Sequence, residues 1–300
     1  MVHAIINPIS GAGADPNAAR RRIAMVEGAA AARGIPVEIF LTERAGHATT
    51  LARDAVAAGC VSLIVWGGDG TVNETGSVLM GSDVSLGLVP AGSGNGLAAA
   101  LGVSRDPATA LADAFDAPAS RIDAGVMAGR PFFNIAGVGF DARVAALFNQ
   151  RAAGSRGGWP YIAIGVREGC RYCSVDYTLT LDTTPMRSKA LLVAFANGRE
   201  YGIGARIAPD ARLDDGFLDA IVVEDPGNIV SRFWQARHLA TGAPQLSPAV
   251  TLRRVTHAVI ESPGEMEFHV DGEPATAHDR IEVSIVPGAL SVRTRANLAD

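Results

Sequence analysis

Asp69 stands in the run VWGGDGTVNE (Val65–Glu74), flanked by Gly67, Gly68 and Gly70 and followed by Thr71, directly behind an apolar segment. A packed core has no use for three positions without side chains around one carboxylate. Glycine opens positive φ and lets backbone N–H groups approach a ligand closely, and the N-terminus of a following helix favours an anion by about 0.3–1 kcal/mol. Two further strand ends have the same character: NPISGAG, with Asn7, Ser10, Gly11 and Gly13, and PAGSGNGLA, with Gly92, Ser93 and Asn95. One such turn arises readily from geometry alone; three at one sheet edge point to a rim that grips phosphates. Asp69 either caps the helix after it, a role that Thr71 or Asn73 fills equally well, or orients Mg2+ or a hydroxyl proton. Two more carboxylate runs lie in the second half of the chain, ARLDDGFLDAIVV around Asp215 and FHVDGEP around Asp271 and Glu273. Each reads on its own as a hairpin, because Asp-Gly is a strong turn signal.

The elements that must position these residues change in texture along the chain. Up to about Asp123, strand-like and helix-like segments alternate: VHAIINP, a helix over 15–33, PVEIFLTE, the helix GHATTLARDAVAAG, VSLIVWGG, a helix over 72–80, VSLGLVP, and a helix near 95–101. That alternation predicts an α/β domain with a mainly parallel sheet and helices on both faces, which binds ligands at the carboxyl ends of its strands. From 124 to about 290 short strand candidates dominate, among them AGVMAGRPFFNIAGVG, YTLTLD, KALLVAFANG, FLDAIVVE, VTLRRVTHAVIES, MEFHVDGE and RIEVSIVP, with helices near 141–171 and 228–241. They predict a mainly antiparallel sandwich or barrel.

Composition narrows the function. The 300 residues exceed a usual single domain, and a net charge of −5 gives no reason to expect nucleic acid. The apolar run Ala190–Ala196 falls far short of the roughly 20 residues that span a bilayer. The strand-like VHAII at the start lacks the features of a signal peptide, so a cytoplasmic protein is expected. Three cysteines form no disulfide framework, and the pair in CRYC (Cys170, Cys173) lacks the second pair of a structural zinc site. Lys189 is the sole lysine, so neither a Walker A loop nor a protein-kinase lysine is present. Phosphates must be held by backbone amides, hydroxyls, arginines and metal.

NPISG, GGDGTVNE and PAGSGNGLA, in this order, resemble the catalytic domain of the lipid kinase superfamily that contains diacylglycerol, sphingosine and ceramide kinases, whose soluble bacterial members are the closest in length. The resemblance implies a nucleotide-binding α/β domain over 1–123, completed by 288–300 and related to those of NAD kinase and phosphofructokinase. It also implies a β-sandwich over 124–287, with ATP in the cleft between them. It puts Asn7, Ser10, Gly11, Gly13 and Thr42 around the nucleotide, with His47 in the same pattern. Gly67, Gly68, Asp69, Gly70 and Thr71 become the phosphate loop, with Glu74 behind it. Gly92, Ser93 and Asn95 complete the set, and GSGNG is closer to the sphingosine kinase pattern than to the GTxND of many diacylglycerol kinases, which leaves the acceptor open. In the second domain the resemblance implies a structural Mg2+ on Asp215 and the carbonyls of Arg212 and Phe217, and a proton acceptor at Asp271 or Glu273.

The function these features imply is transfer of the γ-phosphoryl group of ATP to the hydroxyl of a lipid alcohol such as diacylglycerol or a sphingoid base. NAD kinase-like chemistry and a catalytically silent nucleotide-binding scaffold are the rivals. Residues 140–173 mix Phe148, Trp159, Tyr161 and Tyr172 with Arg143, Arg151, Arg156, Arg167 and Arg171. They suit either transient peripheral contact with the anionic inner membrane surface or a core helix with a solvated arginine face. Edge strands in the second domain leave room for a homodimer.

Overall fold

A computed structural model describes residues 1–11, 15, 17–149, 172–201, 206–228, 231–232, 235, 237–238, 242–296 and 298. The chain divides into two compact units, Met1–Ile122 with Gly288–Asp300, and Asp123–Pro287.

The first unit alternates β1 (Val2–Ile6), α1 (Ala18–Ala31), β2 (Val37–Leu41), α2 (His47–Ala57), β3 (Ser62–Gly67), α3 (Asp69–Leu79), β4 (Ser85–Pro90), α4 (Gly96–Ala100) and α5 (Pro107–Asp116). The strands lie in the order β4-β3-β1-β2 and all neighbours are parallel, with Ala4 opposite Ile39 on one side and Ile64 on the other. Ala4, Ile5 and Ile6 are all fully buried, as the continuous apolar runs of a sheet covered on both faces require. Alternate strand residues Ala4, Ile6, Ile64, Trp66 and Val89 pack on Val26 and Ala30 of α1 and Ala110, Leu111 and Ala114 of α5. The returning C-terminal segment adds Val292 in parallel beside Leu86 of β4. Two helices differ from their sequence readings. α3 begins at Asp69 rather than at 72, so Asp69 sits in its first turn. α5 went unread, although Asp106 caps it by accepting Thr109 N–H at 2.8 Å and Pro107 occupies its first turn.

In the second unit lie the end of β5 (Ala119–Met127), β6 (Arg130–Phe132), β7 (Ile135–Gly139), α6 (Phe140–Asn149), β8 (Val175–Leu181), β9 (Thr184–Ala196), β10 (Leu218–Glu224), β11 (Val250–Val255), β12 (His257–Val270) and most of β13 (Glu273–Arg293). The long strands β9 and β12 each pair with β8 at one end and with β7 at the other, all antiparallel. Phe132, Leu179, Phe195, Ile260 and Phe268 form part of the buried cluster they enclose. The single candidate VTLRRVTHAVIES divides at Thr256 into β11, which pairs with β10, and β12. The helix read near 141–171 is described as α6 only as far as Asn149, and most of the one read near 228–241 lies outside the described residues. Among the described residues no helix is long and apolar enough to cross a membrane.

Candidate active site

β1, β3 and β4 are parallel neighbours, so the three glycine-rich turns that follow them leave one edge of the sheet. The turns touch. A Cβ added to Gly11, whose φ is +61°, would stand 2.0 Å from the carbonyl oxygen of Ala91; one on Gly92 would stand 2.7 Å from Gly68 Cα, and one on Gly68 3.2 Å from Ser10 Oγ. A Cβ on Gly67 would stand 2.7 Å from that of the buried Thr71. Asn7 Nδ2 donates to Thr71 Oγ1 at 3.1 Å, tying the first turn to the second. Asp69 ties the second to the third: its two carboxylate oxygens accept the N–H groups of Asn95 and Gly96, each at 2.7 Å. Asn95, left-handed at φ +56°, then closes its own loop by accepting from Gly92 N–H and donating to the Gly92 carbonyl, each at 2.7 Å. The carboxylate thus engages the start of α4, the helix that follows the third turn. Ser93 at the tip of this third loop is exposed, Gly70 lies in α3, and Gly13 falls outside the described residues.

Around this rim the other residues expected at a nucleotide hold neighbouring segments. Thr42 is buried just past β2 and donates its N–H to Ile6 O at 3.0 Å. Glu74 reaches from α3 to the start of α2, where its oxygens accept Gly46 N–H at 2.7 Å and Ala48 N–H at 3.0 Å. His47 Nδ1 accepts from Glu43 N–H at 3.1 Å. Sequence reasoning missed Arg22, a buried guanidinium from α1 that donates to the carbonyls of Asn7 and Ser10 and lies 5.6 Å over the Trp66 ring. Burial, then Arg21, lowers its pKa. Helical spacing marks α1 but says nothing of which arginine turns inward.

In the second unit Asp271 and Gly272, at φ +48° and +84°, form the two-residue turn between β12 and β13, with Val270 paired to Glu273. The Asp271 carboxylate accepts N–H groups from Phe133 and Asn134 at 2.9 Å and from Ile135 at 3.2 Å. Glu273 is exposed. At the other turn, Asp215 accepts Phe217 N–H at 3.1 Å and is ion-paired with Arg254, whose guanidinium lies 5.3 Å over the Phe217 ring. Arg212 contacts Asp214 at 3.4 Å. One carboxylate and two backbone carbonyls are hard oxygen donors of the kind Mg2+ takes, and Arg254 is the cation that competes for that carboxylate. Among the described residues no group of three or more His, Cys, Asp or Glu could hold a metal ion. Nearby, burial and then Asp210 push the Asp219 carboxyl up to about 6. Asp123, a second residue that sequence reasoning missed, is buried behind this turn and accepts Gly216 N–H at 2.7 Å.

Of the aromatic and arginine stretch, the side chain of Phe148 and all of 150–171 lie outside what is described, Cys170 with them. Arg143 stands 3.6 Å from Glu267, and Tyr172 meets the Phe140 ring edge-on at 5.7 Å. Burial, then Asp141, pushes the Tyr172 phenol up to about 12.

Residues 1–127 match the diacylglycerol kinase catalytic domain, and 134–294 match the YegS C-terminal NAD kinase beta sandwich-like domain. The chain is 32% identical over 263 residues to a "Probable lipid kinase YegS-like" protein of Pseudomonas fluorescens, covering 87% of this chain and 86% of that one. It is 33% identical to a diacylglycerol kinase of Mycobacterium tuberculosis, covering 97% of this chain and 94% of the other. A crystal structure of a diacylglycerol kinase from Bacillus anthracis shares the fold, with a TM-score of 0.75 at 20% identity over 99% of this chain and 97% of that one. Both halves match, in the order in which the sequence carries them, and this chain belongs to the YegS-like family of lipid kinases with a diacylglycerol kinase catalytic domain.

Proposed function

We propose that this protein is an ATP-dependent lipid kinase that transfers the γ-phosphoryl group to the hydroxyl of a lipid alcohol, diacylglycerol or a sphingoid base being the classes to test first. The contact of three glycine turns at the carboxyl ends of β1, β3 and β4 carries the reading. Backbone amides and hydroxyls from Ser10, Gly11, 67–71 and 92–95 hold the triphosphate, and Asp69 keeps the second and third turns in register for it. Phosphoryl transfer needs charge neutralisation and in-line placement more than covalent chemistry, and Mg2+ bound with the nucleotide supplies part of that neutralisation. As the lipid oxygen bonds to the γ-phosphorus and the bond to ADP breaks, the hydroxyl proton passes to a carboxylate. Asp271 already accepts three backbone N–H groups from 133–135, which suits it to holding its turn against that segment, so we take Glu273, two residues on and exposed, as the acceptor. A general base of this kind is worth about 10²–10⁴-fold.

A structural Mg2+ on Asp215 with the Arg212 and Phe217 carbonyls belongs to the same proposal, as does transient contact with a bilayer to collect the substrate. Incubation with Mg-ATP and a lipid panel tests the activity. Asp69→Ala is expected to retain the circular dichroism of the wild type and to lose lipid phosphorylation. Transfer at the wild-type rate in that variant would overturn the assignment.

A further inference from the structure

His269, two residues before the Asp271–Gly272 turn, is 3% exposed, and Asp141 in the first turn of α6 is 5% exposed. His269 Nε2 lies 3.1 Å from Asp141 Oδ2, while on the other side of the ring Nδ1 is the acceptor for the N–H of Gly272 at 3.2 Å. A backbone N–H can only donate, so Nδ1 is bare, the ring proton sits on Nε2, and it is donated to Asp141. Asp141 is itself fully engaged: Oδ1 accepts Ala142 N–H at 2.8 Å, and Oδ2 also accepts the Tyr201 hydroxyl at 3.0 Å. Room for the carboxylate exists because residue 137 is glycine; a Cβ there would stand 2.3 Å from Oδ2. Burying such a set in a β-sandwich is costly unless every member is satisfied, and at its His269 end the set reaches Gly272, in the turn that leads into Glu273.

We propose that Asp141 and His269 are positioning residues for the proton-accepting turn: Asp141 fixes the tautomer of His269, and His269 in that tautomer fixes Gly272 and with it the direction of Glu273. The inference rests on the proposed role of Glu273. It makes a sharp demand on Asp141→Asn, a change that preserves size. Ala142 N–H needs an oxygen opposite it, so the new amide nitrogen falls at the Oδ2 position and donates to His269 Nε2. The ring proton must then move to Nδ1, where it opposes Gly272 N–H, donor against donor.

The test combines kinetics with ¹⁵N NMR of the whole protein labelled at histidine, the His269 signal being identified by its loss in His269→Gln. Wild type is expected to show the Nε2–H pattern and a slowly exchanging Gly272 amide; Asp141→Asn is expected to show the Nδ1–H pattern and faster exchange. With lipid and Mg-ATP, kcat of Asp141→Asn is expected to fall roughly 100-fold, the loss that a displacement of about 1 Å brings. KM for ATP should stay within about threefold, since nucleotide binding is not touched. Glu273→Gln is the control for the reading beneath. Loss of activity in Glu273→Gln with a wild-type kcat in Asp141→Asn would overturn the positioning role alone. An Nδ1–H pattern in the wild type, or an unchanged Gly272 amide in the variant, would overturn it whatever the activity. Full activity in Glu273→Gln would sink the role of Glu273 instead.

Discussion

At Gly11 and Gly92 a methyl group has nowhere to go, since one meets the Ala91 carbonyl and the other the backbone of Gly68. Gly11→Ala also forces a side chain into a left-handed conformation that costs roughly 1–2 kcal/mol. Because the clash is with backbone, the first and third turns must separate. ATP affinity measured by calorimetry is expected to fall at least about tenfold, equivalent to about 1.4 kcal/mol, and unchanged affinity would show that the contact between turns is irrelevant to the nucleotide. These glycines are legible in the sequence because what they do follows from lacking a side chain. Asp69 is legible as unusual, but its partners are not: they lie 26 and 27 residues away, and no local pattern names them. The same holds for Arg22 and Asp123, a charged residue on a helix face and one in a strand, each unremarkable until its burial is seen.

α2 has no capping side chain of its own at Gly46, and Glu74 supplies the missing acceptor from α3. Glu74→Gln keeps an oxygen for one of these amides, sets its own NH2 against the other and removes the charge, so we expect a loss of about 1–3 kcal/mol in urea unfolding, the charge-dependent part of it shrinking as salt is raised. Elsewhere, the segment after β10 is held by Asp225, which accepts from Arg232, Ser174 and Gly227. The Arg232 hydrogen bonds above all hold the Asp225 carboxyl well below its usual range. A depressed folded value means that this contribution is fully present above the unfolded value of about 4 and is lost as pH falls below it. The wild-type urea midpoint should therefore begin to decline at about pH 5 and go on declining as pH falls towards the depressed folded value, and Arg232→Gln should flatten the decline. α5 shows that an element can be missed although Asp106 and Pro107 announce it, because only two large apolar residues, Leu111 and Phe115, stand on its buried face among the alanines of a ten-residue segment.

The chain starts the α/β unit, builds the second unit, and returns to the first with Gly288–Asp300. That segment places buried Leu290 and Val292 beside β4, and Arg293 donates to Ser85 Oγ at 3.1 Å and to the Ala117 carbonyl at 2.8 Å. Burying two large aliphatic side chains is worth about 1.5–3 kcal/mol each, a large part of the stability of a single domain. Deleting 288–300 is expected to leave residues 1–122 open to proteolysis at once; a protease-resistant first unit would show that the returning segment is dispensable. Some properties were determined by the sequence alone: the alternation of elements in the first part, the run of strands in the second, and the three glycine turns. All of them follow from local periodicity or from a missing side chain. Tertiary structure alone decided that Asp69 holds the third turn, that Asp215 meets Arg254, and that His269 stands against Asp141 from 128 residues away. Those pairings arise where strands and helices distant in sequence are packed side by side, and a carboxylate takes whichever donors that packing brings to it.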